Sequence, residues 1–294
     1  MEEVSTVATT NPGKLEFSNA CLKMLSQGTS RMPVIKRLYP SLLKTWAYLT
    51  WSEGYKVKRW RGILFLLNYH NFVDRQIGLR GGYESDSSAQ FFSEMEKGCD
   101  VFVDAGASVG VFALQAARHG LAKEIHAFEP DPRNYAQMMF NIYLNRFTTL
   151  IQAHPEAVSN VSGPIQFEMA ADTHALLSEV VSTVGETKAA GVTNRMMSNK
   201  GETCHVMARA LDDVLSYKGK RIFLKIAVQG HELEALKGAE RLLRDNTCFL
   251  QLWIWQENYS SATQQLSAMG YRLVSFGATT TDILSQKYHF TNRL

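Results

Sequence analysis

Asp104, Gly106, Ala107, Ser108 and Gly110 are the residues whose types and spacing point most directly to chemistry. They follow Val101-Phe102-Val103, a short apolar run of the kind that forms a buried parallel strand. From Val111 to His119 apolar residues then recur at helical intervals. A strand, a glycine loop and a helix in that order predict the first half of a nucleotide-binding βαβ unit. Gly106 lets the backbone turn sharply and lie against a ligand. Position 108 is Ser, so G-x-G-x-x-G is broken, and no Lys-Ser or Lys-Thr follows to make a P-loop. The loop therefore suits a ligand without phosphate, with the Asp104 carboxylate beside it.

Further along, Glu124 to Phe128 reads as a second strand ending at Glu129-Pro130-Asp131. An acid at the end of the second strand, about 20 residues past the glycine loop, is placed to bind both hydroxyls of a ribose. Its two oxygens match the two donors of a cis-diol. The plainer alternative for Glu129 is a solvated turn acid. Glu156 and Ala157 follow a third strand, in the loop where an adenine amino group would be read. Glu156 is equally readable as a solvated loop acid. Lys225 lies within, and His231 and Glu232 just after, a strongly apolar strand, Arg221 to Val228. Histidine has a suitable intrinsic pKa for a base. Lys225 either orients a substrate group or pairs with a structural acid.

The chain that must hold these residues has 294 of them, 45% hydrophobic and 20% charged, with a net charge of +3. That is an ordinary globular composition. The charge is too mild to indicate nucleic acid. Cys21, Cys99, Cys204 and Cys248 are scattered, so neither a metal site nor a disulfide framework is expected, and a reducing, cytoplasmic setting fits best. No basic-then-apolar leader and no ~20-residue apolar span is present.

In chain order, residues 1–80 read as a polar arm and a helical region, and 81–294 as the nucleotide-binding domain. Ser41 to Trp51 has helical spacing, and Lys56, Lys58, Arg59 and Arg61 are mixed with Tyr55 and Trp60. Residues 41–61 are thus a candidate contact for a membrane surface or a protein partner. Phe72 to Ile77 is a strand or a helix start. Ser87 to Lys97 reads as a helix. Asp131 with Pro132 starts another that runs to about Asn145. Thr148 to Ala153, Arg221 to Val228 and Phe249 to Trp255 read as further strands of one sheet. His231 to Arg244 and Ser260 to Met269 read as helices, and the end of the chain as an antiparallel hairpin. Residues 172–200 lose periodicity and are expected to form a lid, a substrate loop or a disordered segment.

Hydrophobic-hydrophobic-Asp-x-Gly-x-x-x-Gly resembles the first motif of class I S-adenosylmethionine (SAM) methyltransferases. More specifically, residues 70–277 resemble the FkbM-type SAM-dependent methyltransferases. The anchors are Gly82-Tyr83-Glu84, Val103 to Gly110, Phe128-Glu129-Pro130, Ala157-Val158-Ser159, Leu211-Asp212-Asp213 and Leu224 to Ala239. The resemblance implies a mostly parallel Rossmann-like α/β sheet with an antiparallel C-terminal hairpin and an N-terminal helical extension. It implies SAM as cofactor, held by Asp104, Gly106, Ala107, Ser108, Gly110, Glu129, Pro130, Glu156 and Ala157. It also implies O-methylation of a small-molecule or glycan hydroxyl, with no nucleic-acid partner.

One departure bears on catalysis. The family pattern Lys-Ile-Asp-Val-Glu-Gly is here Lys225-Ile226-Ala227-Val228-Gln229-Gly230, and Gln251 stands where a second acid is usual. Alanine takes no proton, and glutamine only hydrogen-bonds. Two readings follow: an O-methyltransferase using His231, Glu232 or Lys225, or no base at all; and a catalytically degenerate scaffold or binding protein that still holds SAM.

Overall fold

The computed structural model describes residues 51, 54–80, 83, 85–169, 179–183, 186–187, 202–276 and 285–293. Most of the polar arm, the Ser41 to Trp51 helix except Trp51, the Gly82 and Glu84 anchors and most of the 172–200 loop lie outside the described residues.

Among the described residues the strands form three sheets. The central one orders β13 (Arg272–Phe276), β14 (Ser285–Thr291), β12 (Thr247–Trp255), β11 (Arg221–Ile226), β3 (Val101–Ala105), β4 (Glu124–Phe128) and β5 (Ile151–His154). β12, β11, β3, β4 and β5 run parallel, and β14 and β13 add the antiparallel hairpin. β3 is buried at all five positions, which is why it reads as an uninterrupted apolar run broken only by Asp104.

The two faces of this sheet carry separate apolar layers. Phe102, Phe223 and Phe249 point to one side, with Phe91 of α2 (Ser85–Glu96) and Phe112 of α3 (Val111–Arg118) packed on them. α4 (Pro132–Leu144) covers the same side through Met138 and Ile142. Asp131 caps α4 by accepting a hydrogen bond from the Arg133 N–H at 2.9 Å, with Pro132 in the first turn, as the sequence predicts. Val103, Leu224, Leu250 and Leu252 point the other way. Over them lie α5 (Leu211–Val214), α6 (Glu232–Lys237), α7 (Glu240–Asp245) and α8 (Tyr259–Ala268).

Three sequence expectations need correction. Residues 55–68 are not helical. β1 (Tyr55–Trp60) and β2 (Ile63–Asn68) form an antiparallel hairpin, and among the described residues only α1 (Phe72–Arg75) with the π-helical turn after it is helical between them and α2. The reason is legible afterwards: Ile63, Phe65 and Leu67 are buried and alternate with partly exposed neighbours, a period of two. The expected single helix from His231 to Arg244 is two helices broken at Gly238. A Cβ there would collide with the Ser159 carbonyl, so the chain folds tightly past that strand. Asp212 then starts α7 by accepting the Arg241 and Leu242 N–H groups, each at 2.8 Å. Finally, Glu156 and Ala157 are not in a loop. They lie in β6 (Glu156–Val158), the edge of a second sheet ordered β6, β10 (Thr203–Arg209), β7 (Gly163–Glu168), β8 (Glu179–Thr183) and β9 (Glu186–Thr187).

Candidate functional site

The carboxyl ends of β3, β4 and β11 meet at one place, and the glycine loop lies there. Gly106 has φ of +79°, and a Cβ on it would run into the Ala227 carbonyl oxygen. The β3 and β11 turns are thus in direct backbone contact, which only glycine permits. Gly106 and Ala107 both donate N–H groups to the Phe128 carbonyl at 2.9 Å, tying the loop to the end of β4. Ser108 holds a left-handed conformation at φ +52°, and Gly110, at +86°, begins α3.

Asp104 is fully buried. Its Oδ1 accepts a hydrogen bond from Lys225 Nζ at 2.7 Å, while Oδ2 is buried without a partner. Lys225 also donates to the Gly106 carbonyl at 3.0 Å, and its ammonium lies 5.1 Å from the Phe112 ring centre. Of the two alternatives for Lys225, the ion pair is the one present.

Glu129 is buried at the end of β4. Its Oε2 accepts the Ser108 N–H at 2.7 Å and its Oε1 the Asp131 N–H at 3.0 Å. Burial pushes its pKa up to about 7, against the lowering effect of those N–H groups. The Asn134 side chain also hydrogen-bonds to the carboxylate, which leaves it one acceptor position beyond its three protein donors. Glu129 is therefore not a solvated turn acid, and Pro130 beside it is half-buried. The Glu129 N–H donates to the His154 carbonyl at 3.0 Å, which brings β5 to the same spot. There His154 stacks on Phe128 with ring centres 4.2 Å apart, and burial, reinforced by His126, pulls its pKa down to about 4. Glu156 is held by Arg209 at 3.3 Å and lies 3.7 Å from His154 Nδ1. Ala157 is buried in the core of the second sheet.

The other two candidates are placed differently. His231 is 1% exposed, and its Nε2 is 2.9 Å from Ser159 Oγ. Glu232 is fully buried. Its Oε1 accepts the Gly230 N–H at 2.7 Å, closing the turn in which Gln229 and Gly230 have φ of +53° and +89°. Both side chains brace the turn.

Sequence reasoning passes over one further set. Asp104, Lys225, Gln251 and His289 are successive cross-strand neighbours on β3, β11, β12 and β14, a polar row beneath the site. Gln251 Oε1 is 3.1 Å from His289 Nε2, and His289 Nδ1 is 2.9 Å from Ser275 Oγ. Beyond Gln251 on the same face of β12 come Trp253 and Trp255, both with buried, unpartnered indole N–H groups. The available signal was the glutamine inside an otherwise apolar strand.

The residues fit a cationic adenosyl cofactor. The orphaned Asp104 Oδ2 is an acceptor without a donor, and the Glu129 carboxylate is tied to the Ser108 N–H of the glycine loop, where it can accept from a ribose diol.

This arrangement, on a mostly parallel Rossmann-like sheet, defines a class I methyltransferase fold. The family model for the methyltransferase FkbM domain matches residues 104–273, and the chain belongs to that family of SAM-dependent methyltransferases, with S-adenosylmethionine as cofactor. No curated protein sequence matches it. Similar solved structures include the methyltransferase FkbM from Methylobacillus flagellatus KT, 19% identical, covering 65% of this chain and 43% of that chain with a TM-score of 0.45. This chain thus spans less than half the length of that protein. Another is SMU.1697c from Streptococcus mutans, a putative methyltransferase in complex with SAH, 8% identical, covering 71% of this chain and 98% of that chain with a TM-score of 0.43. A third is M. jannaschii TYW2 in complex with AdoMet, 13% identical, covering 81% and 85% with a TM-score of 0.39. Among the described residues no helix is long and apolar enough to cross a membrane.

Proposed function

We propose that this chain transfers a methyl group from SAM to a hydroxyl of a small molecule or glycan. The observation that carries the reading is the cofactor half of the site, where Gly106, Ser108 and Glu129 are locked together by backbone hydrogen bonds around the unpartnered oxygen of Asp104. When bound, SAM supplies an electrophilic methyl group on a sulfonium. In this reading Asp104 and Gly106 face its amino-acid end, and Glu129 accepts from the ribose diol. Ala107, Ser108, Gly110 and Pro130 shape the pocket wall, while Glu156 and Ala157 stand at the adenine side. Residues 81–294 form the functional domain, with 55–80 packed onto it.

The acceptor would enter over the ends of β11 and β12, past Ala227, Gln229 and the Trp253 and Trp255 N–H donors. Those donors suit an oxygen-rich acceptor, because indole N–H only donates. Lys225 is committed to Asp104, and His231 and Glu232 brace the turn. We therefore assign the rate enhancement chiefly to approach and alignment, with the acceptor proton leaving to solvent. Placement of this kind suffices for a displacement that needs a fixed line of attack.

The test is titration calorimetry with SAM and S-adenosylhomocysteine on wild type, Asp104→Ala and Glu129→Ala, followed by methyl-label transfer to a panel of polyhydroxylated acceptors. Binding lost in both variants, with label on an acceptor oxygen, is the expected result. SAM binding without transfer to any acceptor would leave a SAM-holding binding protein. No binding to wild type would sink the proposal.

A further inference from the structure

The large apolar side chains exposed on the surface are unevenly spread. Tyr55, Val57, Met139, Phe140 and Tyr143 all belong to β1 and α4, with Tyr143 73% exposed. These two elements flank β2. On one edge of β2, Val57 pairs opposite Leu66 and Arg59 opposite Leu64. On the other edge, Asn141 Oδ1 accepts the Leu66 N–H at 2.7 Å and Asn145 Oδ1 accepts the Leu64 N–H at 2.9 Å. Phe140 adjoins Asn141, and Arg146 adjoins Asn145. Val57 and Leu66 therefore share one outward row of the hairpin and Arg59 and Leu64 the next, while Asn141 and Asn145 fasten α4 along the free edge of β2. The inward sides of these elements fill the core with Ile63, Phe65, Met138 and Ile142. Their outward sides carry the exposed Tyr55, Val57, Met139, Phe140 and Tyr143.

The segments that carry these side chains are basic. Residues 54–73 contain Lys56, Lys58, Arg59 and Arg61 and no acid, and residues 132–155 contain Arg133 and Arg146 and no acid. Lys58 turns inward to the Gly78 carbonyl at 2.8 Å, and Arg133 is tied to Asp131. Arg59, Arg61 and Arg146 are exposed.

We propose that this β1–β2–α4 face seats on an anionic lipid surface, with Tyr143, Phe140, Tyr55 and Val57 at headgroup depth and the arginines on lipid phosphates. Exposed aromatic and aliphatic tips on basic segments match the apolar interior and negative surface of such a bilayer. A second copy of this chain is the poorer occupant, because a two-fold interface would set the same cations against each other. Nucleic acid would match the arginines and leave Val57, Met139 and Phe140 without apolar partners.

The experiment is flotation of the full chain with phosphatidylcholine vesicles and with mixed phosphatidylcholine–phosphatidylserine vesicles. Binding to the mixed vesicles alone, weakened by salt, is expected. Phe140→Ser/Tyr143→Ser should weaken it about tenfold or more by removing apolar contact. Arg59→Glu/Arg146→Glu should abolish the preference for the anionic lipid. Thermal melts of both variants should match wild type, since these side chains are exposed. If a variant does not fold, Val57→Ser makes the same apolar test on another element. No vesicle binding, binding indifferent to the substitutions, or a dimer in light scattering that Phe140→Ser/Tyr143→Ser dissolves would each overturn the proposal.

Discussion

Lys225 Nζ sits 2.7 Å from Asp104 Oδ1, across the parallel strands β11 and β3, with both side chains withdrawn from water. The two residues lie in register, so the ion pair is fixed by strand pairing and does not depend on loop placement. It joins the strand that carries the glycine loop to the strand that carries the Gln229 turn. Removing one partner strands a buried charge. Lys225→Met should therefore cost about 3–5 kcal/mol in denaturant unfolding. Lys225→Met/Asp104→Asn should recover part of that loss by removing both charges. SAM titration separates structure from binding: the double variant should fold and still bind SAM more weakly, because the negative charge of Asp104 beside a cationic cofactor is gone.

Gly106 and Gly120 give a matched pair. Both have positive φ, +79° and +61°, yet a Cβ on Gly106 meets the Ala227 carbonyl and one on Gly120 meets nothing within 4 Å. Gly120→Ala should cost only the conformational penalty, about 1–2 kcal/mol. Gly106→Ala should cost clearly more, or prevent folding, because two strand ends must separate. Melting curves of the two variants check the difference. Equal losses would mean that the close contact between the loops is unimportant.

Much of the fold was readable because its signals are local. The Val101 to Val103 apolar run of β3, the Asp131–Pro132 start of α4 and the boundaries of β4 all depend on a few adjacent residues. The β1–β2 hairpin was missed because Lys56, Lys58 and Arg59 masked the two-residue period that Ile63, Phe65 and Leu67 keep. The break at Gly238 could not be read, since it depends on Ser159, far away in sequence and adjacent only after folding. Within the site, the spacing of Asp104, Gly106 and Glu129 located one end of three strands. The commitments of Lys225, His231 and Glu232 were hidden for the same reason as Gly238: their partners are Asp104, Ser159 and the Gly230 N–H. Two of those three are long-range.

Glu129 should make cofactor binding depend on pH. Its folded pKa is about 7, against an ordinary value of 4.5, because burial disfavours the charged form. Between those values the native state holds a proton that the unfolded chain has released. Its contribution to stability therefore falls as pH rises from about 4.5 to 7 and is flat above that. Ribose hydroxyls donate, so they prefer the carboxylate, and SAM affinity should rise through pH 7. Glu129→Gln should bind more weakly at pH 8 and lose the pH dependence, with some stability lost because one amide oxygen cannot accept both the Ser108 and the Asp131 N–H groups. Calorimetry at pH 6 and 8 reads both effects.

His231 offers a test of positioning against proton transfer. Its Nε2 meets Ser159 Oγ at 2.9 Å, a contact that a glutamine amide can replace. His231→Gln should keep the pH profile of methyl transfer, and His231→Ala should lower stability by about 1–3 kcal/mol through the abandoned Ser159 hydroxyl. Loss of the acidic limb of the pH profile in His231→Gln would identify the imidazole as the base after all.

Asp74 extends the pH argument to the join between the hairpin and α4. It is fully buried, with Oδ2 accepting the Asn68 N–H at 2.7 Å and the Gln137 amide at 2.6 Å, and Oδ1 without a partner. Burial outweighs those hydrogen bonds and raises its pKa from 3.8 to about 7. The sign is the same as for Glu129: a raised carboxyl withdraws stability as pH climbs from about 4 to 7. Asp74→Asn keeps an acceptor for Asn68 and Gln137 and removes the buried charge. Relative to wild type it should therefore gain stability between pH 5 and pH 8, with a ceiling of roughly 3 kcal/mol. Urea unfolding at both pH values measures the difference. An unchanged difference would show that Asp74 carries its charge without cost, with water reaching Oδ1, and that the hairpin is less tightly seated on α4 than its hydrogen bonds imply.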